Sequence, residues 1–193
     1  MNIIIFDVET NGFKGTSVLS FSAMKVNYNI ETKEFSKVAV LDRYYYREPH
    51  ESVELSAIKV NGLTDTVIAE KREGHEYAKH FKDDKDIEQF FNDTLHYIAH
   101  NIKFDASFVP LPKNCKMFDT MHTNVNIVKA GWNSYYQTYK WPKLSETAAF
   151  YELKLDSEQL HNSLYDVVIC FKVFYSMSKY APTSKIVESF LNS

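Results

Sequence analysis

Cysteine is scarce in this sequence: Cys115 and Cys170 are the only two among 193 residues. Two thiols so spaced make neither a disulfide framework nor a zinc site. Cys170, inside the apolar run Val167-Val168-Ile169-Cys170-Phe171, reads as a small core residue. No stretch approaches the roughly 20 apolar residues that a membrane span needs. The first apolar run is broken at Asp7, with no basic segment before it, which is not the pattern of a signal peptide. A reducing cytosol is the expected home. There is no internal repeat and no low-complexity tract. Nor is positive charge in excess: 22 Lys and Arg stand against 25 Asp and Glu, a net charge of -3. That balance argues against a protein that holds nucleic acid by bulk electrostatics, while leaving local basic patches open.

What remains is an ordinary globular composition, 45% hydrophobic and 24% charged, long enough to bury a core and expected as one domain over residues 1–193. Ile3 to Val8 has the continuous apolar character of a central strand. Ser17 to Tyr28 and Phe35 to Arg47, joined by a polar turn, read as an antiparallel hairpin beside it. Glu54 to Val60 reads as a short helix stopped by Asn61-Gly62, and Thr64 to Asp84 as a helix start followed by an exposed loop. Asp86 to Leu95 has amphipathic helical spacing, and Tyr97 to Ala99 is a short buried strand. Met117-Phe118 reads as another strand. Helices follow over Asp119 to Val128, Leu144 to Leu153 and Leu164 to Met177, the last with Leu164, Val167, Val168, Phe171, Phe174 and Tyr175 inward. Strands first, then strands alternating with helices, predict an α/β fold with a mixed central sheet flanked by helices.

The stretch Ile3 to Gly12, Ile-Ile-Ile-Phe-Asp-Val-Glu-Thr-Asn-Gly, carries the first chemical signal. Side chains alternate across a strand, so Asp7 and Glu9 leave the same face with origins roughly 6 to 7 Å apart. Two carboxylates about 4 Å apart at an effective dielectric of 20 repel by roughly 4 kcal/mol. A cation relieves that, and hard oxygen ligands suit Mg²⁺ or Mn²⁺. The alternative is two solvated acids just past a strand, so the choice turns on whether other acids join them.

Two segments offer such acids. In His100-Asn101-Ile102-Lys103-Phe104-Asp105, Asp105 follows the end of a short strand, where ligands collect in open α/β sheets; it also suits a helix N-terminus on electrostatic grounds alone. In His161-Asn162-Ser163-Leu164-Tyr165-Asp166, Asn162 or Ser163 is a suitable N-cap and Asp166 falls in the first turn of the long helix. Either segment by itself also reads as ordinary surface.

Together, Phe6-Asp7-Val8-Glu9-Thr10, His100-Asn101 through Phe104-Asp105, and His161 through Asp166 resemble, in order, the three motifs of the DEDDh (DnaQ-like) 3′–5′ exonucleases of the ribonuclease H-like superfamily. The resemblance spans Asp7 to Asp166. It implies a ribonuclease H-like fold and release of nucleoside monophosphates from the 3′ end of DNA or RNA, single-stranded by preference. It further implies two divalent cations, Mg²⁺ or Mn²⁺, bound by Asp7, Glu9, Asp105 and Asp166, with His161 as general base. Two such ions stabilise the attacking and leaving oxygens of a phosphodiester displacement. A neutral imidazole with an ordinary pKa of about 6.5 can take the proton of the attacking water.

The same resemblance places the terminal nucleotide against backbone groups of Val8, Thr10 and Asn11, beside Asn101 and Phe104, with Leu63 as an apolar wedge; Asn61 stands where the family often has histidine. Asp119-Thr120 also matches a recurrent family segment and reads as a helix cap. The aromatic segment Trp132 to Trp141 suits stacking of single-stranded bases or core packing under a loop, and no site is assigned there. The expected partner is a nucleic acid 3′ end, with no membrane; a polymerase partner and a homodimer both stay open. Two rivals remain. A haloacid dehalogenase-like phosphatase would need Asp where Glu9 stands and a later Gly-Asp-x-x-x-Asp run, which is missing. A catalytically silent nucleic-acid-binding module on the same fold would have no need for all four acids and His161.

Overall fold

The apolar run at the N-terminus becomes strand β1 (Asn2–Thr10), the middle strand of a five-stranded sheet. The computed structural model describes residues 1–13, 15–156, 158–159 and 162–193. β2 (Val18–Asn29) pairs antiparallel with β1, and β3 (Glu34–Tyr44) antiparallel with β2. On the other side β4 (His96–Ala99) runs parallel to β1, and β5 (Lys116–Asp119) parallel to β4, giving the order β3-β2-β1-β4-β5. The mixed sheet with flanking helices is thus the architecture the sequence predicts.

Alternation along β1 divides the core into two layers. Ile4, Phe6 and Val8 face a layer that includes Phe21, Tyr45, Tyr97 and, from helix α3 (Lys85–Phe91), Ile87 and Phe91. Ile3 and Ile5 face the opposite layer, built on Val167, Cys170, Val173, Phe174 and Met177 of helix α7 (Ser163–Lys179) and Val187, Phe190 and Leu191 of helix α8 (Ala181–Leu191). By the period of two, Asp7 and Glu9 continue the face of Ile3 and Ile5, so the strand delivers its acids to the side that α7 covers.

The remaining helices are α1 (Leu55–Asn61), α2 (Asp65–Lys71), α4 (Ile102–Asp105), α5 (Thr120–Val128) and α6 (Leu144–Phe150). Gly62, at φ 70, closes α1 in the left-handed conformation that glycine adopts without steric cost. Asp119 caps α5 as expected, its Oδ1 accepting from the N–H groups of Met121 and His122.

Two expectations are adjusted, an unassigned helix is added, and a reading left open is narrowed. The stretch 72–84 is largely the exposed loop expected, but it is pinned at both ends: the Arg72 guanidinium donates to the carbonyls of Tyr44, Tyr77 and Ala78. Buried Asp84 accepts from Arg43 and from the Tyr45 hydroxyl. The charges of Arg72 and Asp84 are thus spent on pairing, while Glu73, Glu76, Lys79 and Asp83 are exposed. The inward face of α7 is also shifted. Leu164, Val168 and Phe171 are half-buried and Tyr175 is exposed, while Ile169, Cys170, Val173 and Met177 are fully buried, because α6 and α8 flank the helix and widen its covered arc. Helix α8 lies where the sequence reading placed nothing. The aromatic segment forms a separate two-stranded hairpin, β6 (Trp132–Asn133) and β7 (Thr138–Tyr139), rather than core under a loop.

Candidate active site

Where β1 passes the start of α7, carboxylate oxygens of Asp7, Glu9 and Asp166 lie within 4.8 Å of one another. The three residues come from the strand and from a helix more than 150 residues later, so tertiary folding, not sequence proximity, makes the cluster. Asp105 stands beside this trio on α4, near enough for its charge to act on Asp7. It is buried, and its Oδ1 accepts from the Val8 N–H at 3.1 Å, which ties the α4 turn to the strand between the two acids. Asp105 therefore does more than complement a helix end: its charge acts directly on Asp7.

The electrostatics record a deficit of positive charge. Burial, followed by the charges of Asp105, Glu9 and Asp166, pushes the Asp7 carboxyl well above its usual range. Burial and Asp166 push Glu9 up to about 7, while a hydrogen bond from the Asn61 side chain acts in the opposite sense. Burial raises Asp105 too, opposed by the bond from Val8. A proton or a cation must offset such crowding. Asp7 Oδ2 is buried and has no hydrogen-bond partner among the described residues, although buried polar atoms are almost always paired. An all-oxygen donor set with an unpaired buried carboxylate oxygen fits a hard divalent cation.

The strand end is held from outside by a network the sequence reading did not anticipate. The Asn11 side chain donates to Glu51 Oε2 and to the Ser52 carbonyl, and its oxygen accepts from the Glu54 N–H. Glu51 also accepts from the Ser17 N–H and hydroxyl. Asn61 donates to the Thr10 carbonyl at 3.1 Å and accepts from the Leu63 N–H at 3.0 Å, besides reaching Glu9. By local signals Asn61-Gly62 reads as a helix stop, yet its asparagine bonds one of the clustered carboxylates, Glu9. The signal available was the position where the resembling family often carries histidine.

Of the residues expected to hold a nucleotide, Asn101 and Phe104 lie on the same turn as Asp105. Asn101 sits at φ 75, a left-handed conformation that asparagine tolerates, with its N–H donated to Asp119 Oδ1. Phe104 packs its ring on Phe108, 5.2 Å between centroids. Val8, Thr10 and Asn11 are all buried at the strand end. The Val8 N–H is committed to Asp105 and the Asn11 N–H to the Ser17 carbonyl, so these two serve the site by fixing its shape. Leu63 is buried in a small cluster with Leu19, Tyr44 and Ile68 and does not project as a free wedge. His161 lies outside the described residues. Its chain neighbour Asn162 is described, and caps α7 by accepting from the Tyr165 N–H. His100, the other histidine of the motifs, is structural: its Nε2 donates to the Pro142 carbonyl at 2.9 Å, and burial lowers its pKa.

Comparison with known proteins agrees with this arrangement. The family RNase_T, described as an exonuclease, matches residues 4–174. DNA polymerase III subunit epsilon of Buchnera aphidicola subsp. Baizongia pistaciae is 23% identical over 211 residues, spanning 98% of this chain and 77% of that protein. The 3'-5' exonuclease DinG of Bacillus subtilis is 26% identical over 89% of this chain, which matches only 17% of that relative. Among solved structures, E. coli exonuclease I in complex with a dT13 oligonucleotide has a TM-score of 0.66 at 11% identity, covering 97% of this chain and 43% of that one. At that identity the likeness is one of fold, and this chain spans less than half of exonuclease I. The family match runs from β1 into α7 and takes in every acid of the cluster, which removes the phosphatase reading: the chain belongs to the RNase_T family of exonucleases.

Proposed function

We propose that residues 1–193 form one exonuclease domain that removes nucleoside monophosphates from the 3′ end of a nucleic acid. In this reading two divalent cations, Mg²⁺ or Mn²⁺, are held by Asp7, Glu9, Asp105 and Asp166. The observation that carries it is the meeting of Asp7, Glu9 and Asp166 within 4.8 Å, with the charge of Asp105 acting on Asp7 beside them, around a buried Asp7 oxygen that has no hydrogen-bond partner among the described residues. Bound cations would polarise the phosphodiester and acidify the attacking water. The chain's own residues do the rest. Asp105 and Val8 lock the two ends of the cluster together, Asn61 orients Glu9, and the first turn of α7 brings in Asp166. His161 takes the proton of the water as general base; its support is its place one residue before the α7 cap, as in the resembling motif. The terminal nucleotide lies between the end of β1 and the α4 turn, with Asn101 and Phe104 beside it and Leu63 contributing to the wall.

Digestion of matched 3′-labelled and 5′-labelled single-stranded DNA and RNA with Mg²⁺ or Mn²⁺ tests this. The expected result is immediate release of the 3′ label as mononucleotide, a descending ladder from the 5′ label, and neither with Asp7→Asn. First release of the 5′ label would overturn the polarity. Tight binding without cleavage by the unsubstituted chain would leave the silent binding module as the function.

A further inference from the structure

We infer that the β6–β7 hairpin is a stacking platform for single-stranded nucleic acid, receiving bases upstream of the 3′ end that enters the acidic site. The inference builds on the nuclease reading, and it starts from an exposure that packing does not explain. Trp132, Tyr135, Tyr136 and Trp141 are 56%, 85%, 70% and 59% exposed. Large aromatic rings are among the residues most often covered, and a cluster of them in water marks a binding surface.

The rings are held ready rather than collapsed. Trp132 meets Tyr139 edge to face, with centroids 5.1 Å apart at 79°, and Tyr135 meets Tyr136 at 4.8 Å and 89°. Edge-to-face pairs leave ring faces open for a third partner. The turn between the strands is built: Asn133 Oδ1 accepts from the N–H groups of both Tyr135 and Tyr136. Gln137, at φ 51, donates its side-chain amide to the Ser134 carbonyl. A platform set before binding loses less conformational freedom when it binds.

Charge and position select the occupant. Lys129 Nζ stands 5.6 Å from the Tyr139 ring centroid, and Lys143 is exposed at the foot of the hairpin. Lys140 is paired with Glu146 at 2.7 Å and offers less. Cations interleaved with aromatic rings match a phosphate backbone with unpaired bases, whereas a duplex keeps its base faces covered. The hairpin is also continuous with the site. The Pro142 carbonyl accepts from His100, and the Trp141 ring lies 4.9 Å from that of His122. His122 bonds Asp119, which accepts from the Asn101 N–H on the turn that carries Phe104 and Asp105.

Trp132 and Trp141 are the only tryptophans in the chain; because Trp141 packs on His122, Trp141→Phe is made in every protein titrated, so that intrinsic tryptophan emission reports Trp132 on β6 alone. The non-cleaving Asp7→Asn protein is titrated with oligothymidylate of roughly 12 nucleotides, with a dinucleotide and with a blunt duplex. Saturable quenching is expected with the oligonucleotide alone. The triple variant Trp132→Ala, Tyr135→Ala, Tyr136→Ala is expected to weaken oligonucleotide binding on the order of tenfold or more, with dinucleotide hydrolysis by the otherwise unsubstituted enzyme unchanged. Emission that stays constant while anisotropy shows the oligonucleotide bound would overturn the platform, as would equal affinity in the triple variant. Should that variant lose its native circular dichroism, the quenching arm still decides. A chain that cleaves nothing yet shows the quenching retains the platform and loses the nuclease; cleavage without quenching does the reverse.

Discussion

One face of β1 is used twice. Its first half, Ile3 and Ile5, is fully buried against α7 and α8, and each such side chain stabilises the fold by about 1.5 to 3 kcal/mol. Its second half, Asp7 and Glu9, faces the same helix where Asp166 stands, and there the carboxylates repel and are pushed toward protonation. The same strand, the same pleat and the same covering helix thus give opposite contributions. The difference shows that the acidic end is not kept for stability in the cation-free protein. It is tolerated because the apolar end, with Asn61, Glu51 and Asp105 bracing the strand, holds it in place.

The strongest break in this comparison is to swap which half is damaged. Asp7→Asn keeps the shape but removes a ligand and one of the mutually repelling charges. Nuclease turnover should fall to background, the melting temperature in EDTA should rise, and the rise in melting temperature on adding Mg²⁺ should vanish. Ile5→Ala should do the reverse, costing about 2 to 5 kcal/mol of stability through the cavity it leaves while turnover per folded molecule stays within a few-fold. Denaturation and single-turnover cleavage on the same two variants check both halves at once. If Asp7→Asn melts lower than the parent in EDTA, the acidic end is not under repulsion.

His161→Ala separates chemistry from assembly. A general base contributes on the order of 10² to 10⁴ in rate, so turnover should drop by that factor. The Mg²⁺-dependent gain in melting temperature should persist, since all four carboxylates remain. Loss of that gain would make His161 part of the cation site rather than the base.

How far the sequence reveals this molecule follows the same division. β1, the hairpin partners and the first turn of α7 are legible because alternation, turn residues and an N-cap are local signals. The acids are legible because their types and order form motifs. What bonds them is not: Asn61 reads as a turn residue, and its contact with Glu9 exists only once α1 folds back on β1. Arg72 and Asp84 read as solvated charges because their partners are backbone carbonyls and residues from β3 and its continuation. α8 was legible and missed: Thr183, Val187, Phe190 and Leu191 have helical spacing after Pro182 at its start. The aromatic hairpin carries no clue to its exposure, because composition suits core and stacking surface equally.

A smaller effect sharpens the electrostatic side. An acid whose pKa is higher in the folded than in the unfolded state binds its proton more tightly when folded, so its protonation stabilises the fold at low pH, and that stability is lost as pH rises from the unfolded pKa to the folded one. For Glu9 this window runs from its usual 4.5 to about 7, and Asp7 and Asp105 act in the same sense. In EDTA the melting temperature should fall across that window, and the gap opened by Mg²⁺ should widen with it. Thermal scans between about pH 5 and about pH 8, with and without Mg²⁺, measure the gap; one that is constant with pH would mean the cation binds elsewhere.

The smallest effect concerns how α7 is seated against the acidic half. Ser163, the first residue of α7, is buried and bonds both Ser20 and Ser22, which lie opposite Glu9 and Asp7 in the β1–β2 register. Ser22 also bonds Asp42 Oδ1 at 2.6 Å. A carboxylate only accepts, so the single proton of Ser22 goes to Asp42; Ser163 must then donate to Ser22, and Ser20 to Ser163. Three hydroxyl protons satisfy three bonds in one direction, leaving Ser163 no freedom to turn. Ser163→Ala strands the buried hydroxyl of Ser20, while Ser22 keeps its bond to Asp42, and should cost about 1 to 3 kcal/mol. Because Asp166 stands one turn further along the same helix, turnover should also fall, by roughly tenfold, the lower end of what outer partners of metal ligands contribute. Chemical denaturation and steady-state cleavage measure the two effects. Lost stability with unchanged turnover would show that the Asn162 cap alone seats Asp166, and that the hydroxyl chain belongs with the apolar half of the comparison.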